Sequence, residues 1–385
     1  MKILGYKRKN GTIGTRNHVL VLPLSICPST VAQRISSNII GAVSVFHQHG
    51  LCEVGPDLEQ TIRVFKNIAR NGNVGSVLVV ALGNEGQIID IVVNDIKKAK
   101  KDVELITIKQ CGGSVKATAK GIEVALNMVQ KLSSQKRQEI DLAKLIIGLK
   151  CGGTDVTSEL AANPVFGYTT DYLIKRGATA IFSETTEIIG AEHLLLKRIK
   201  HKDVQEKLLK VIEKTEKRAA DIGVNLQGVN PTAGNIESGV STLEEKSLCA
   251  INKSGSMEIR DILDYGEIPK KNGLYFMDTP GHDVDSISGM IAGGAQVILF
   301  SSGRGTPIGS PIAPVIKVTG NHEAFCQMND NFDIDTSNLL EKDTTIKKTG
   351  GDFIKEVIQF SSGKLTKSEI LKHYEFGIYR IGPTF

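Results

Sequence analysis

The chain has 385 residues, 41% of them hydrophobic, enough to bury more than one core, and this length predicts about two to three domains. Its 47 basic and 42 acidic side chains leave a formal charge of +5 that is interspersed and not gathered into a stripe, which argues against a nucleic-acid partner. No apolar segment approaches the roughly 20 residues of a bilayer span, and "MKILGYKRKNG" lacks the longer apolar centre of a secretory signal, so a cytoplasmic protein without membrane contact is expected.

Short runs rich in Val, Ile and Leu recur, each of strand length and continuously apolar, the pattern of strands covered on both faces by helices. In chain order they are "HVLVLPL" (18–24), "GAVSVF" (41–46), "SVLVVALG" (76–83), "VELITI" (103–108), "KLIIGLK" (144–150), "ATAIFS" (178–183), "GLYFMD" (273–278) and "QVILFSSG" (296–303). "DLEQTIRVFKNIARNG" (57–72) reads as a helix, and over 187–223 Leu195, Ile199, Leu208 and Ile212 recur at the spacing of one long or broken amphipathic helix. The class is therefore α/β, with buried, mostly parallel sheets and flanking helices. The polar "QKLSSQKRQEID" (130–141) lacks apolar periodicity, which predicts an N-terminal α/β domain over 1–138 and a larger catalytic one over 139–385.

The segments that follow the strands are rich in Gly, acids and amides: "NEGQ", "CGGTD", "ETTE", "TPGHD" and "GRGTPIG". Open α/β sheets gather ligands at strand carboxyl ends, where such loops converge, and main-chain N–H groups freed by glycine suit an anionic ligand. Six cysteines, Cys27, Cys52, Cys111, Cys151, Cys249 and Cys326, are widely spaced with no CxxC pair, which argues against disulfides in a chain of this size.

"VFHQHGLCE" (45–53) sets His47 and His49 on one face of an extended segment with Cys52 in the following turn, within reach of one iron, manganese or zinc ion; partly exposed loop residues are the alternative. In "SETTEIIGAEH" (183–193), Glu184 and Glu187 at a strand-to-helix junction either favour a helix dipole or serve as base or metal ligand, with Glu192 and His193 further on. "MDTPGHD" (277–283) carries Asp278, His282 and Asp283; "EEKSL" (244–248) holds Lys246, by default one of a solvated charge run. Arg304 in "GRGTPIG" (303–309) suits bidentate carboxylate recognition, whereas the GxGxxxG spacing there, with Pro307 and no following helix, argues against a dinucleotide loop. Cys249 and Cys326 read as core or surface thiols.

Taken in order, "GTIGTRNHVLVLP", "CGGTDVTSELAANPVFGY", "SETTEIIGAEHLL", "NPTAGN", "EEKSL", "FMDTPGHD", "SSGRG" and "KLTKSE" resemble the altronate/galactarate dehydratase family, which includes the large subunit of sulfolactate sulfo-lyase, from about Gly5 to about Glu369. The resemblance implies a metal-dependent hydro-lyase that converts a sugar acid to a 2-keto-3-deoxy acid, with iron(II) or manganese(II) as cofactor and an iron–sulfur centre as the alternative. Full-length members begin with a small SAF-type domain, so a separately encoded small subunit is expected beside this chain, and a homodimer. Family cysteines are matched by Cys27 and Cys151, whereas Asn84, Leu51 and Ser310 stand at three others. The roles expected from the resemblance and the loops are metal ligation by His47, His49 and Cys151, and proton transfer by Glu184, Glu187 or His193, with Lys246 and His282 as further catalytic groups. Arg16, Asn17, Gly152, Gly153, Asp155, Asn163, Asp278 and Arg304 are expected to bind the substrate.

Overall fold

The structure, a computed structural model, describes residues 2–50, 52–226, 230–341 and 344–382. Leu51, expected from the resemblance to stand at a cysteine position, lies outside the described residues. After β1 (Lys2–Lys7) and β2 (Ile13–Gly14), the chain lays down β3 (His18–Pro23), β4 (Ala42–Ser44), β5 (Val74–Ala81) and β6 (Asp102–Thr107) as a parallel sheet of order β4-β3-β5-β6. β7 (Gln138–Asp141) returns to pair antiparallel with β1, whose other edge carries β2. The expected boundary at 138 thus falls where β7 begins. The remainder forms β8 (Ile146–Gly152), β9 (Thr179–Ser183), β10 (Ile259–Leu263), β11 (Leu274–Met277), β12 (Val297–Ser302), β13 (Val315–Thr319) and β14 (Ile334–Asp335), a parallel seven-stranded sheet of order β10-β11-β9-β8-β12-β13-β14.

The eight apolar runs all become parallel strands, and their continuity has a direct cause. Side chains alternate between faces, and both faces of the large sheet are covered. From β8 and β12, Ile147, Leu149, Val297 and Leu299 enter one core with Val165 and Phe166 of helix Asn163–Ile174 and Phe353 of helix Ile346–Ser361. From the other face, Ile298 and Phe300 join a core with Ile287 and Met290 of helix Asp283–Ala292, with Val64 and Phe65 of helix Pro56–Arg70, and with Leu20 and Val77 of the small sheet. Two helices are therefore shared between the two parallel sheets. Each such fully buried side chain contributes about 1.5–3 kcal/mol.

β10 and β13 escape the apolar-run criterion because each contains charge. β10 is an edge strand on which Arg260 is exposed, while the ammonium of Lys317 in β13 is buried and donates to the carbonyls of Pro307 (2.8 Å) and Ile308 (3.2 Å). The amphipathic stretch over 187–223 is broken into helices Glu192–Leu196 and Lys202–Asp221.

The strand order turns about β8. The chain moves from β8 to β9 on one flank through helix Asn163–Ile174, and later reaches the opposite flank at β12 through helix Asp283–Ala292 on the other face. In open α/β sheets, a crevice forms outside the carboxyl ends of strands at such a switch point. Here that end is Lys150-Cys151-Gly152.

Candidate active site

Five segments bring charge to the carboxyl end of β8. Lys150 and Cys151 close the strand, Glu184 follows β9, Glu187 ends the short turn Thr185–Glu187, and Asp283 begins the helix after β11. Lys246 and Lys253 come from helix Leu243–Asn252 and its cap; seven residues apart, they share one helical face.

Glu184 adopts a left-handed conformation (φ 81°, ψ 77°), a state that costs a non-glycine residue about 1–3 kcal/mol. It is held there by the β11 loop. Its N–H donates to Thr279 Oγ1 (3.0 Å), the next N–H donates to the Thr279 carbonyl (3.0 Å), and Thr185 Oγ1 donates to Asp278 Oδ1 (2.6 Å). The strain turns the Glu184 carboxylate inward, between two ammonium groups. Lys150 donates to Glu184 Oε1, to Asp283 Oδ1 (2.8 Å) and to the Cys151 carbonyl (2.6 Å). Lys253 Nζ lies 2.7 Å from Glu184 Oε2 and 2.9 Å from Cys151 Sγ. The Cys151 thiol lies 3.1 Å from Glu187 Oε2, and Lys246 completes the group, 3.3 Å from Glu187 Oε1 and 2.7 Å from Asn230 Oδ1.

Lys150, Cys151, Glu184 and Lys253 are at most 1% exposed, so the centre opens only at its rim, where the Asp283 side chain is 27% exposed. Burial alone would lower Lys150, but Glu184, Asp283 and Glu187 outweigh it and hold the ammonium above its ordinary range. Lys253 is likewise held up against burial by Cys151, Glu184 and Glu187. Burial, with Glu187 beside it, pushes the Cys151 thiol well above the usual range. The two glutamates are driven apart: burial and Glu187 raise Glu184, while Lys246, Lys253 and Lys150 overcome burial at Glu187 and hold it at about 2.

Among the described residues, Cys151, Glu184 and Glu187 form the group of three whose donor atoms, all within 4.8 Å of one another, could hold a metal ion. One sulfur and two carboxylate oxygens suit a divalent transition ion, with the lysine ammonium groups as its immediate neighbours. His47 and His49 are not members of this group; they lie after β4, on the small sheet.

The other expected site residues divide by position. Gly152 and Gly153 form the rim: a Cβ on Gly152 would approach Asp283 Oδ1 to 2.8 Å, and one on Gly153 would meet Arg304. Asp155 accepts from Ser158 N and Oγ (2.8 Å each) and from Asn321 Nδ2 (3.4 Å), holding the loop after β8. The exposed Arg304 lays its guanidinium against Gly234 of "NPTAGN". His282 is exposed and bonds Asp285 Oδ2 (2.9 Å), and His193 is exposed on its helix. Asn163 is fully buried, with its amide engaged by the Cys249 carbonyl (3.0 Å) and Ser301 Oγ (2.6 Å). Arg16 and Asn17 lie at the amino end of β3. There Arg16 pairs with Glu369 (2.5 Å) and bonds the carbonyls of Phe360 and Lys364, while Asn17 bonds Arg8 and the Leu132 carbonyl.

Sequence reasoning passes over Lys150 and Lys253, and names Asp283 in "MDTPGHD" without giving it a role. Lys150 does carry a signal, as the charged end of a buried apolar run. Lys253 has only its seven-residue spacing from Lys246.

Buried lysines, glutamates and a thiol gathered at the carboxyl end of β8, where the strand order turns, define an enzyme-like centre of an α/β protein. The sequence matches the models of the D-galactarate/altronate dehydratase C-terminal region over residues 142–384 and of the D-galactarate dehydratase/altronate hydrolase second domain over residues 5–133, and the chain belongs to this family. It is 33% identical to the (2R)-sulfolactate sulfo-lyase subunit beta of Chromohalobacter salexigens, over 98% of this chain and 97% of that one. It is 32% identical to the altronate dehydratase of Bacillus subtilis, over 99% of this chain and 78% of that one, and 30% identical to the galactarate dehydratase (L-threo-forming) of Escherichia coli, over 94% and 72%. These relatives are dehydratases and a lyase subunit, which supports a lyase-type enzyme. No described helix is long and apolar enough to cross a membrane.

Proposed function

We propose that this chain is the large subunit of a lyase that removes water from a small polyhydroxy carboxylic acid, altronate- or galactarate-like, to give a 2-keto-3-deoxy acid. The observation that carries the reading is the pair of buried glutamates, Glu184 and Glu187, driven in opposite directions between three lysines. Paired titratable groups whose environments separate their pKa values are the pattern of an acid and a base sharing one site. We assign the chemistry to the unit from 139 to 385.

The acid enters from the rim of Gly152, Gly153, Asp283 and Arg304, and its carboxylate draws Lys246 away from Glu187, a contact longer (3.3 Å) than the one Lys246 makes to Asn230 (2.7 Å). Glu187, losing a cation that held its pKa down, rises toward the range of a base and takes the proton next to the substrate carboxylate. Negative charge then develops on the enediolate, where the ammonium groups of Lys150 and Lys253 stabilise it in a dry site. Glu184, already raised, gives its proton to the departing hydroxyl. Were a divalent ion, iron(II) or manganese(II), held by Cys151, Glu184 and Glu187, it would supply Lewis acidity toward the enediolate in place of that proton donation, because a ligating Glu184 is ionised.

One observation favours a second reading, carbon–sulfur elimination with sulfite as the leaving group. Three lysines, Lys150, Lys246 and Lys253, gathered at one centre suit a substrate with two anionic groups. In either case the relative named subunit beta supports a separately encoded small subunit as partner. The test is to purify the chain anaerobically with that subunit, restore iron or manganese, and assay aldonates, aldarates and sulfolactate for keto-acid and sulfite release. Keto acid without sulfite supports dehydration, and sulfite supports the second reading. Absence of both contradicts a lyase.

A further inference from the structure

The small sheet carries a second cluster that the chemistry above does not use. His47, just beyond β4, is fully buried, yet among the described residues neither ring nitrogen has a hydrogen-bond partner. Glu53 is 6% exposed; its Oε1 accepts from Thr61 Oγ1 (3.1 Å), but its Oε2 is also without a hydrogen-bond partner among the described residues. The two unpartnered groups face each other, with His47 Nε2 and Glu53 Oε2 3.6 Å apart. That separation is beyond the usual range of about 2.7–3.2 Å for an N–H···O bond. It is close to the roughly 3.4 Å edge that separates two donors, each about 2.1 Å from a shared tetrahedral ion.

The surroundings fix this geometry. The His47 ring packs edge-on against Phe65, with centroids 5.0 Å apart, and the His47 carbonyl accepts from Ser29 Oγ (3.2 Å). Thr61 and Phe65 stand one turn apart on helix Pro56–Arg70, so the same helix fixes both Glu53 and the imidazole. His49 is half-buried, with its ring centroid 6.0 Å from that of His47. Two imidazoles on one tetrahedral ion have centroids roughly 5 Å apart, so His49, whose donor atoms do not lie within 4.8 Å of both groups in this structure, would have to move toward His47 to serve as a third donor. Arg380, which acts on His49 electrostatically, lies 3.5 Å from Asp57. A buried carboxylate oxygen without a partner is costly, and a dication would neutralise it.

We infer that His47 Nε2 and Glu53 Oε2, with His49 as third ligand, form a binding site for a divalent transition ion on the small sheet, separate from the group around Cys151. Two imidazoles and a carboxylate are the donors of zinc and iron(II), and are poor donors for calcium or magnesium.

The test uses the full chain stripped by chelator and titrated with Zn2+ against a chromophoric competitor, in backgrounds with Cys151 and with Cys151→Ser. In both, Glu53→Gln and His47→Gln are expected to bind one equivalent fewer within the working range, with affinity for it lowered at least about tenfold. Zn2+ is expected to raise the thermal midpoint of the parent by more than that of either variant. Glu53→Gln retains the shape of the side chain and the contact to Thr61, and circular dichroism checks that it folds. Zn2+ binding unchanged by Glu53→Gln, or a parent that binds no Zn2+ outside the Cys151 group, would overturn the site in favour of a buried water. No turnover is measured, so the result stands apart from the fate of the lyase reading.

Discussion

Lys253 points its ammonium at the sulfur of Cys151, 2.9 Å away, across 102 residues of chain. Burial drives the thiol toward its neutral form, while the lysine stabilises whatever negative charge arrives. Glu184, Glu187 and Asp283 face Lys150, Lys246 and Lys253 there, so each ammonium group already has a carboxyl partner. Lys246, its side chain 10% exposed against 1% for Lys253, is the least buried of the three lysines.

Replacing Lys253 by Met leaves Glu184 facing Lys150 alone and removes the cation from Cys151. Breaking a buried pair in this way costs about 3–5 kcal/mol of stability, and losing one preorganised charge lowers kcat by about 10²–10³-fold. Urea denaturation and steady-state rates check both. A Lys253→Met enzyme with parental kcat would remove the lysine from the reaction.

Glu187→Gln keeps the shape of the side chain and removes the proton acceptor. The expected result is a fall in kcat of about 10²–10⁴-fold with KM little changed. A rise in KM at unchanged kcat would instead make Glu187 a binding residue only.

Lys317 provides a pH test away from the site. Burial lowers it to about 8 from the ordinary 10.5, against Asp333 and Glu375. Between these values the unfolded chain holds more protons than the folded one, so this group makes stability rise as pH climbs from about 8 toward 10.5. Lys317→Met should flatten that part of the profile relative to the parent, read by urea midpoints across the window. Parallel profiles for the two proteins would contradict the assignment.

Gly303, just after β12, leaves no room for a side chain: a Cβ there would lie 2.1 Å from Asp155 Cγ. Gly303→Ala should displace the Asp155 loop, lower stability by about 1–3 kcal/mol, and reduce turnover in a chain that still folds. Full activity with a parental thermal midpoint would show that the loop yields freely.

Much of the fold is legible in the sequence because buried parallel strands are continuously apolar, and strands such as β5 and β12 are found by that property alone. β13 is not, since Lys317 interrupts it and only tertiary contacts with Pro307 and Ile308 explain a buried ammonium. At the site, Cys151, Glu184, Glu187 and Lys246 are visible as polar residues in loops or charge runs. Lys253 is not, because its function depends on a helix meeting β8 and β9 from far along the chain. Arg16 illustrates the converse. It stands in a family motif, yet its guanidinium is engaged by Glu369 and backbone carbonyls at the amino end of β3, a placement that a one-dimensional pattern does not carry.

The central claim, that the crevice at β8 eliminates a substituent from a hydroxy acid, is tested most directly by proton NMR. The metal-restored chain with its small subunit is incubated anaerobically with altronate, galactarate and sulfolactate in parallel. The account predicts loss of substrate signals in one sample, with new methylene or methyl signals of a keto acid, and no such change with Glu187→Gln. Unchanged spectra in all three, or product formation that survives Glu187→Gln undiminished, would contradict it.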